Sequence, residues 1–244
     1  MEIDQEKLNM QVHNLPAVVM LECQLPDDII SNLNEYLDEY KETAEKKSLA
    51  GTLVGQIHQG EQLLMDHQHP LLADYYRFIT TMGVMYLESF MNITGARFEP
   101  ITVDIDELWS VHSFEGDYNP IHDHGTKTPM GLSCILYLKV PPQIEKLGNP
   151  AEHFEGLNES SGAVDGFTYL TWGVNGMRDI NILRPITEEY VKPEVGTMLM
   201  FPAWLRHGVM PFFGEGERRT FSCNMNVSPT EKLSGDHYRK TREE

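Results

Sequence analysis

Two histidines two residues apart, His122 and His124, mark the stretch of this sequence best suited to chemistry. They stand in YNPIHDHG, residues 118–125, just before the apolar run GLSCILYL at 131–138. In an extended chain, residues i and i+2 point to the same side. Both imidazoles can therefore face one ion while Asp123 faces away, which is the spacing of a metal site.

A tight metal centre needs at least a third ligand from elsewhere in the fold. The best candidate is His207, which follows the strand-like run VGTMLMFP at 195–202 and a proline-bounded turn. We therefore predict that His122, His124 and His207 are the metal ligands.

A second strand-like run, at 218–225, begins eleven residues after His207. Read with period 2, it has one face that is polar throughout and another that is mostly apolar. The polar face carries Arg218, Thr220, Ser222 and Asn224, and the other carries Arg219, Phe221, Cys223 and Met225. A guanidinium at the head of the polar face can bind a carboxylate through two parallel hydrogen bonds.

At these residues the chain resembles the iron(II)/2-oxoglutarate-dependent oxygenases, and within them a prolyl-hydroxylase-like branch found in bacteria and phages. The shared pattern comprises four ordered blocks, at 119–124, 132–138, 201–211 and 218–224. The resemblance implies a double-stranded β-helix, or jelly roll, with Fe(II) as cofactor and 2-oxoglutarate and dioxygen as cosubstrates. It also implies that Arg218, Tyr137 and Ser222 bind the distal carboxylate of 2-oxoglutarate.

Position 124 departs from the usual triad of that superfamily, which is His-x-Asp/Glu with a distant histidine. Three neutral imidazoles leave the iron one charge more positive than two histidines and a carboxylate. Asp123 on an irregular strand, or Asp117, is the candidate carboxylate. A regular strand favours the three-histidine set.

Two other functions compete with an oxygenase that hydroxylates a peptidyl or free amino acid or another small substrate. A cupin-type dioxygenase or isomerase shares the jelly roll, and residues 116–124 fit the opening Gly-x5-His-x-His of its first motif. The fit then fails, because no glutamate follows His124 at the required spacing. A non-catalytic binding module would have little use for Arg218.

Composition limits the partners of this chain. The 244 residues carry a formal net charge of −18, which argues against nucleic acid and anionic membranes as main partners. No run approaches the length of a membrane span, and no signal peptide is evident. The three cysteines lack paired spacing and predict reduced core residues in a cytoplasmic protein. The sequence leaves the oligomeric state open.

Hydrophobic periodicity predicts a mostly β fold with flanking helices. Residues 1–97 form an N-terminal strand and helices that pack on the barrel, 98–228 the catalytic double-stranded β-helix, and 229–244 a charged tail. The predicted elements are a strand at 17–25, a helix after Pro26 that ends near Lys46, an irregular lid at 50–70, a helix at 71–94, strands near 101–105, 108–114, 131–139, 166–172, 180–184, 196–201 and 218–227, and an insertion at 141–166. We interpret His112, on the strand at 108–114, as structural.

Overall fold

The computed structural model describes residues 18–49, 51, 55, 57–66, 69–97, 101–128, 130–149 and 161–229. The predicted tail, from residue 230, lies outside the described residues, as do parts of the predicted lid and insertion. In chain order the elements are β1 (Leu21–Gln24), α1 (Asp27–Glu42), β2 (Lys47–Ser48), β3 (Glu61–Leu64), α2 (Ala73–Thr94), β4 (Ile101–Ser113), β5 (Asn119–His122), β6 (Met130–Lys139), α3 (Pro142–Glu145), β7 (Thr168–Thr171), β8 (Glu188–Val191), β9 (Thr197–Pro202), β10 (Arg206–Val209) and β11 (Arg218–Pro229).

The strands form two antiparallel sheets, which we call the major and the minor sheet. The major sheet has seven strands in the order β1-β9-β6-β11-β4-β3-β2, and the minor sheet has four in the order β5-β10-β7-β8. Strands that neighbour in space are far apart in sequence, as in a jelly roll. The prediction of a mostly β jelly roll with flanking helices is confirmed.

Two apolar cores hold the layers together. The outer core packs α1 and α2 against the major sheet, where Leu33 and Leu37 meet residues such as Leu138 and Phe221. The inner core lies between the sheets and includes Leu199, Phe201 and Leu170. Both strand faces of the major sheet are therefore buried, which explains the near-continuous apolar runs in β6 and β9.

The two long helices begin and end at clear signals. Pro26 occupies the N-cap position of α1, and Asp27 and Asp28 lie in its first turn, where the helix dipole favours negative charge. Gly95 ends α2 in the left-handed conformation at φ 76°. Between these ends, each helix packs its buried apolar residues against the major sheet.

The predicted strand at 180–184 is wrong, because Met177–Ile182 form a 3-10 helix. The carboxylate of Asp179 accepts a hydrogen bond from the backbone N–H of Gly176 at 2.8 Å, which fixes the first turn. Leu183 then adopts φ 62°, which no strand residue does. Its apolar side chain is 95 % exposed, so the period-2 pattern here did not report burial.

The predicted lid at 50–70 contains regular structure. Glu61–Leu64 form strand β3, which extends the major sheet beside β4. Lys46 does not end α1 as predicted, since the helix ends at Glu42 and the ammonium of Lys46 pairs with Glu61 at 2.6 Å. The predicted strands at 101–105 and 108–114 are one strand, with an irregular register opposite Asn224 and Met225.

Within the described part of the chain, no helix has the length and apolar character needed to cross a membrane. The three cysteines are free thiols, and Cys134 and Cys223 are buried in the outer core.

Candidate metal and cosubstrate site

Two strands of the minor sheet bring the three predicted histidine ligands together. His122 ends β5 and is the direct partner of His207 on β10. His124 lies two residues beyond β5, where its backbone N–H donates to the carbonyl of Ala203 at 3.0 Å. One ring nitrogen from each histidine lies within 4.8 Å of the others.

Backbone carbonyls set the tautomers of two of these histidines. Nδ1 of His122 lies 2.7 Å from the carbonyl oxygen of Pro120, and Nδ1 of His207 lies 2.9 Å from that of Leu205. A carbonyl only accepts, so each Nδ1 carries the proton and each Nε2 keeps a lone pair. This arrangement is common around metal-binding histidines, whose second nitrogen is oriented by a carbonyl or carboxylate.

The electrostatics of the cluster favour neutral imidazoles. Burial, aided by the charge of His122, lowers the pKa of His124 to about 4 and that of His207 to about 3. Both are therefore neutral at pH 7, as metal binding requires. Nε2 of His124 lies 3.2 Å from Nε2 of His207, so the two rings point at one place in the cavity. This donor set fits a divalent transition metal.

Neither candidate carboxylate belongs to this cluster. Asp123 is exposed, as the alternation of faces predicts, although it lines the cavity into which the histidines open. Asp117 is buried, and its carboxylate accepts hydrogen bonds from the backbone N–H groups of His58 at 2.7 Å and Phe114 at 2.9 Å. Asp117 therefore holds the approach to β3 against the turn before β5.

The histidines open into a cavity of about 450 Å³ between the two sheets. Arg218 lines the same cavity although its side chain is only 2 % exposed. Its Nε donates to the carbonyl of Gly166 at 2.8 Å and one terminal nitrogen donates to Oγ1 of Thr168 at 3.2 Å. Among the described residues no carboxylate pairs with this guanidinium, and burial lowers its pKa.

The other two predicted cosubstrate residues occupy different places. The hydroxyl of Tyr137 is fully buried, hydrogen-bonds Oγ1 of Thr168 at 2.7 Å, and so lies behind Arg218 rather than beside the cavity. Ser222 lines the cavity. Ser222 is four residues from Arg218 along β11, which separates their Cα atoms by about 13 Å at the rise of a strand.

Three cavity residues were missed as functional candidates, namely Thr220, Ser113 and Gln62. All are at least nine-tenths buried and none has a hydrogen-bond partner for its side chain among the described residues. The polar face of β11 already contained the signal for Thr220, which is two residues from Arg218. No sequence pattern marked Gln62, because β3 was not predicted as a strand.

Arg219, on the other face of β11, is also buried. It is 1 % exposed, donates to Glu217 at 2.8 Å and Asp38 at 2.5 Å, and contacts Asn34 of α1. His112 points to the same side, where it hydrogen-bonds Glu217 at 2.6 Å and Ser110 at 3.0 Å. The structural interpretation of His112 is confirmed.

Residues 107–224 match the model of a family described as "Putative 2OG-Fe(II) oxygenase". No curated protein matches this chain. Several solved structures share its fold. A Pseudomonas putida prolyl-4-hydroxylase is 14 % identical at a TM-score of 0.51, with 85 % of this chain and 91 % of that chain covered.

Two further structures are similar at comparable distance. The non-heme α-ketoglutarate-dependent carbocyclase SnoK from nogalamycin biosynthesis is 10 % identical at a TM-score of 0.55, covering 90 % of this chain and 85 % of that chain. HygX from Streptomyces hygroscopicus, solved with nickel, 2-oxoglutarate and hygromycin B, is 11 % identical at a TM-score of 0.50, with 86 % of this chain and 83 % of that chain covered. At such identities these structures show the fold alone.

The sequence match includes all three clustered histidines and Arg218. Iron(II) and 2-oxoglutarate, the cofactor and cosubstrate of this family, agree with a neutral imidazole cluster and a buried unpaired guanidinium in one cavity. The resemblance drawn from the sequence is thus confirmed, since residues 107–224, just under half of the chain, match the model of the 2OG-Fe(II) oxygenases.

Proposed function

We propose that this protein is an iron(II)- and 2-oxoglutarate-dependent hydroxylase that acts on a peptidyl or free amino acid or another small substrate. The observation that carries the proposal is Arg218, a buried cation without a carboxylate partner in the cavity of the histidine cluster. Isolated buried charges are costly, so a site that keeps one is suited to a ligand of opposite charge.

His122, His124 and His207 would hold the metal through ring nitrogens that are neutral and already aimed at one place. Iron(II), when bound there, supplies the redox chemistry by which 2-oxoglutarate, dioxygen and a C–H bond become succinate, carbon dioxide and an alcohol. Three protein ligands leave coordination positions open for cosubstrates. The ring of Trp109 lies 5.6 Å from that of His124, and the ring of Phe201 lies 5.0 Å from that of His207, so both aromatic side chains pack against the cluster.

Arg218 would bind the distal carboxylate of 2-oxoglutarate with the part of its guanidinium that Gly166 and Thr168 leave free. Those two contacts, with the ring of Tyr137 at 5.4 Å, hold the guanidinium plane before the ligand arrives. Pre-ordering reduces the entropy that binding would otherwise lose. Tyr137 would therefore orient Arg218 through Thr168, and Thr220 and Ser222 would supply hydroxyls from the same face of β11.

Calorimetry under anaerobic conditions tests this function. We expect 2-oxoglutarate to bind the iron-loaded protein and to bind the metal-free protein much more weakly, because one end of the ligand chelates the metal. Admission of oxygen should then release succinate slowly even without a primary substrate. If 2-oxoglutarate does not bind the iron-loaded protein, the oxygenase function is wrong. Binding without any succinate release would favour a non-catalytic module.

The cytoplasmic location expected from the sequence stays a prediction. The division of the chain near residue 97 stays a prediction. Strands β1, β2 and β3 from the first segment pair within the same major sheet as the later strands.

A further inference from the structure

Gln62 is a buried polar residue that the proposed chemistry leaves unused. Its side chain is 8 % exposed, lines the cavity of the histidine cluster, and has no hydrogen-bond partner among the described residues. The amide atoms of Gln62 are not among the fully buried polar atoms without a partner, so they reach the cavity. A ligand that displaces water from the cavity would have to pair with them, because an amide left buried without partners costs about 1–3 kcal/mol.

The register of the major sheet places Gln62 near the proposed cosubstrate position but on a different strand. Gln62 is the direct partner of Val111 on β4, and Val111 is in turn the partner of Thr220 on β11. Neighbouring strands are about 4.8 Å apart, so Gln62 lies two strands, or roughly 10 Å, from the strand that carries Arg218. Ser113, the partner of Arg218, lies diagonally across from Gln62.

Strand β3 is held firmly enough to act as a binding wall. The carboxylate of Asp117 accepts hydrogen bonds from the backbone N–H groups of His58 and Gln59, which precede β3. Gly60 lies so close to the carbonyl of His112 that a Cβ there would approach it to 1.8 Å. These contacts fix the position of Gln62, although β3 lies outside the family match at 107–224.

The charges around the cavity restrict the group that Gln62 can bind. Arg218 is the only lysine or arginine among the described lining residues, and the cosubstrate carboxylate would neutralise it. Glu107 and Asp123 are the carboxylates of this lining, so a second anion would be repelled. Gln62 itself is flanked by Val111 and Ser113, neither of which carries a charge that would pair with an ammonium ion. Glu107 is four residues from Val111 along β4, or about 13 Å at the rise of a strand. An uncharged hydrogen-bonding group remains.

We propose that Gln62 is a specificity-determining residue that hydrogen-bonds a backbone amide of the primary substrate. A glutamine side chain offers donors and an acceptor together, and a backbone amide complements both. This inference rests on the proposed function and narrows it, because a residue within a peptide presents such amides whereas a free amino acid presents an ammonium and a carboxylate. The substrate class is therefore peptidyl.

The test compares two sets of probes on the protein loaded with iron and 2-oxoglutarate without oxygen. One set consists of N-acetyl amino acid N-methylamides with the twenty standard side chains, and the other of the corresponding free amino acids. Binding is measured by ligand-observed NMR. We expect at least one amide probe to bind, the free amino acids to bind at least tenfold more weakly, and oxygen to give succinate faster with the bound amide than without it.

The variant Gln62→Leu should lower the affinity for the bound amide probe about tenfold, since leucine cannot make the hydrogen bonds by which the site would select an amide. Its affinity for 2-oxoglutarate should stay within about twofold of the parent, because β3 lies two strands from the strand that carries Arg218. Glu61→Leu is the matched control, since Glu61 is adjacent on β3 and pairs with Lys46 on the other face. It should leave probe binding unchanged.

Three results would overturn the role of Gln62: equal binding of free amino acids, equal binding by Gln62→Leu, or binding of no amide probe by a protein that still binds 2-oxoglutarate. Failure of the parent protein to bind 2-oxoglutarate at all is a separate result, which rejects the proposed function instead. The two failures are therefore distinguishable.

Discussion

Arg218 and Arg219 are neighbours in sequence and both are almost fully buried, yet they lie in opposite electrostatic surroundings. Arg218 faces the cavity between the sheets and has only neutral oxygen partners. Arg219 faces the helices and pairs with Glu217 and Asp38. The difference arises from strand alternation, which sends adjacent side chains to opposite faces of the major sheet.

This contrast separates a binding face from a stabilising face. On the outer face, Glu217 accepts hydrogen bonds from both His112 and Arg219, so its charge is compensated within the protein. On the inner face, Arg218, Thr220 and Gln62 keep hydrogen-bonding capacity that the described residues do not use. We expect substitutions on the inner face to affect ligands and those on the outer face to affect folding.

The largest effect should appear at the proposed metal ligands. His124 and Asp123, like the two arginines, are adjacent in sequence and point to opposite sides of an extended chain. His124→Ala should abolish tight metal binding, whereas Asp123→Ala should leave it near normal, because only the histidine faces the cluster. His124→Asp should retain metal, since it recreates the usual triad. Metal content after gel filtration measures all three. Loss of iron from Asp123→Ala with retention in His124→Ala would show that the centre is carboxylate-bound.

The arginine pair itself should give the next largest effects, on different quantities. Arg218→Met should weaken 2-oxoglutarate binding at least tenfold, since loss of one partner of a buried charge pair costs about 2–5 kcal/mol. It should not lower stability, because a buried unpaired charge is removed. Arg219→Met should instead lower the free energy of unfolding by about 3 kcal/mol, since Glu217 and Asp38 both lose the guanidinium that pairs with them.

Calorimetry and urea unfolding of the two methionine variants measure these quantities. The ion pairs of Arg219 with Glu217 and Asp38 make its loss costly for stability, while the affinity for 2-oxoglutarate should change little. Equal losses of 2-oxoglutarate affinity in both variants would contradict the assignment of the two faces.

Acid should weaken the outer face through Glu217. Burial alone would raise the pKa of this carboxyl, but hydrogen bonds from His112 and Arg219 outweigh burial and lower it to about 2, against an ordinary 4.5. A pKa that is lower in the folded state stabilises the fold above pH 4.5, and this contribution is lost as the pH falls towards 2. The free energy of unfolding should therefore fall less steeply below pH 4.5 in Glu217→Gln than in the parent protein or in the exposed control Glu88→Gln.

The smallest effect distinguishes two hydroxyls on the inner face. Thr220→Val should weaken 2-oxoglutarate binding about fivefold, the value of one neutral hydrogen bond, because Thr220 is two residues from Arg218. Ser222→Ala should change it less than twofold, because Ser222 is about 13 Å from Arg218 along the strand. Calorimetry on the iron-loaded variants measures both. The reverse order would restore Ser222 as the cosubstrate residue.

Elements with a strong local signal were predicted well, and those that depend on distant partners were not. The helices at 27–42 and 73–94 have apolar stripes and clear end signals. Strand β3 has only four residues and exists because β4 offers an edge to pair with. The segment at 180–184 has apolar residues at strand spacing, yet the hydrogen bonds of Asp179 make it a 3-10 helix whose apolar side chains are exposed.

The sequence by itself predicted the candidate site, because ligand spacing and strand alternation are local properties. Those properties indicated His122, His124 and Arg218, and the order of motifs indicated the resemblance to the 2OG-Fe(II) oxygenases. Only the tertiary structure decided which polar groups have partners. Whether Arg219 is paired, whether Tyr137 lies behind Arg218 and whether Gln62 faces the cavity depend on contacts between residues far apart in the chain, which no local pattern encodes.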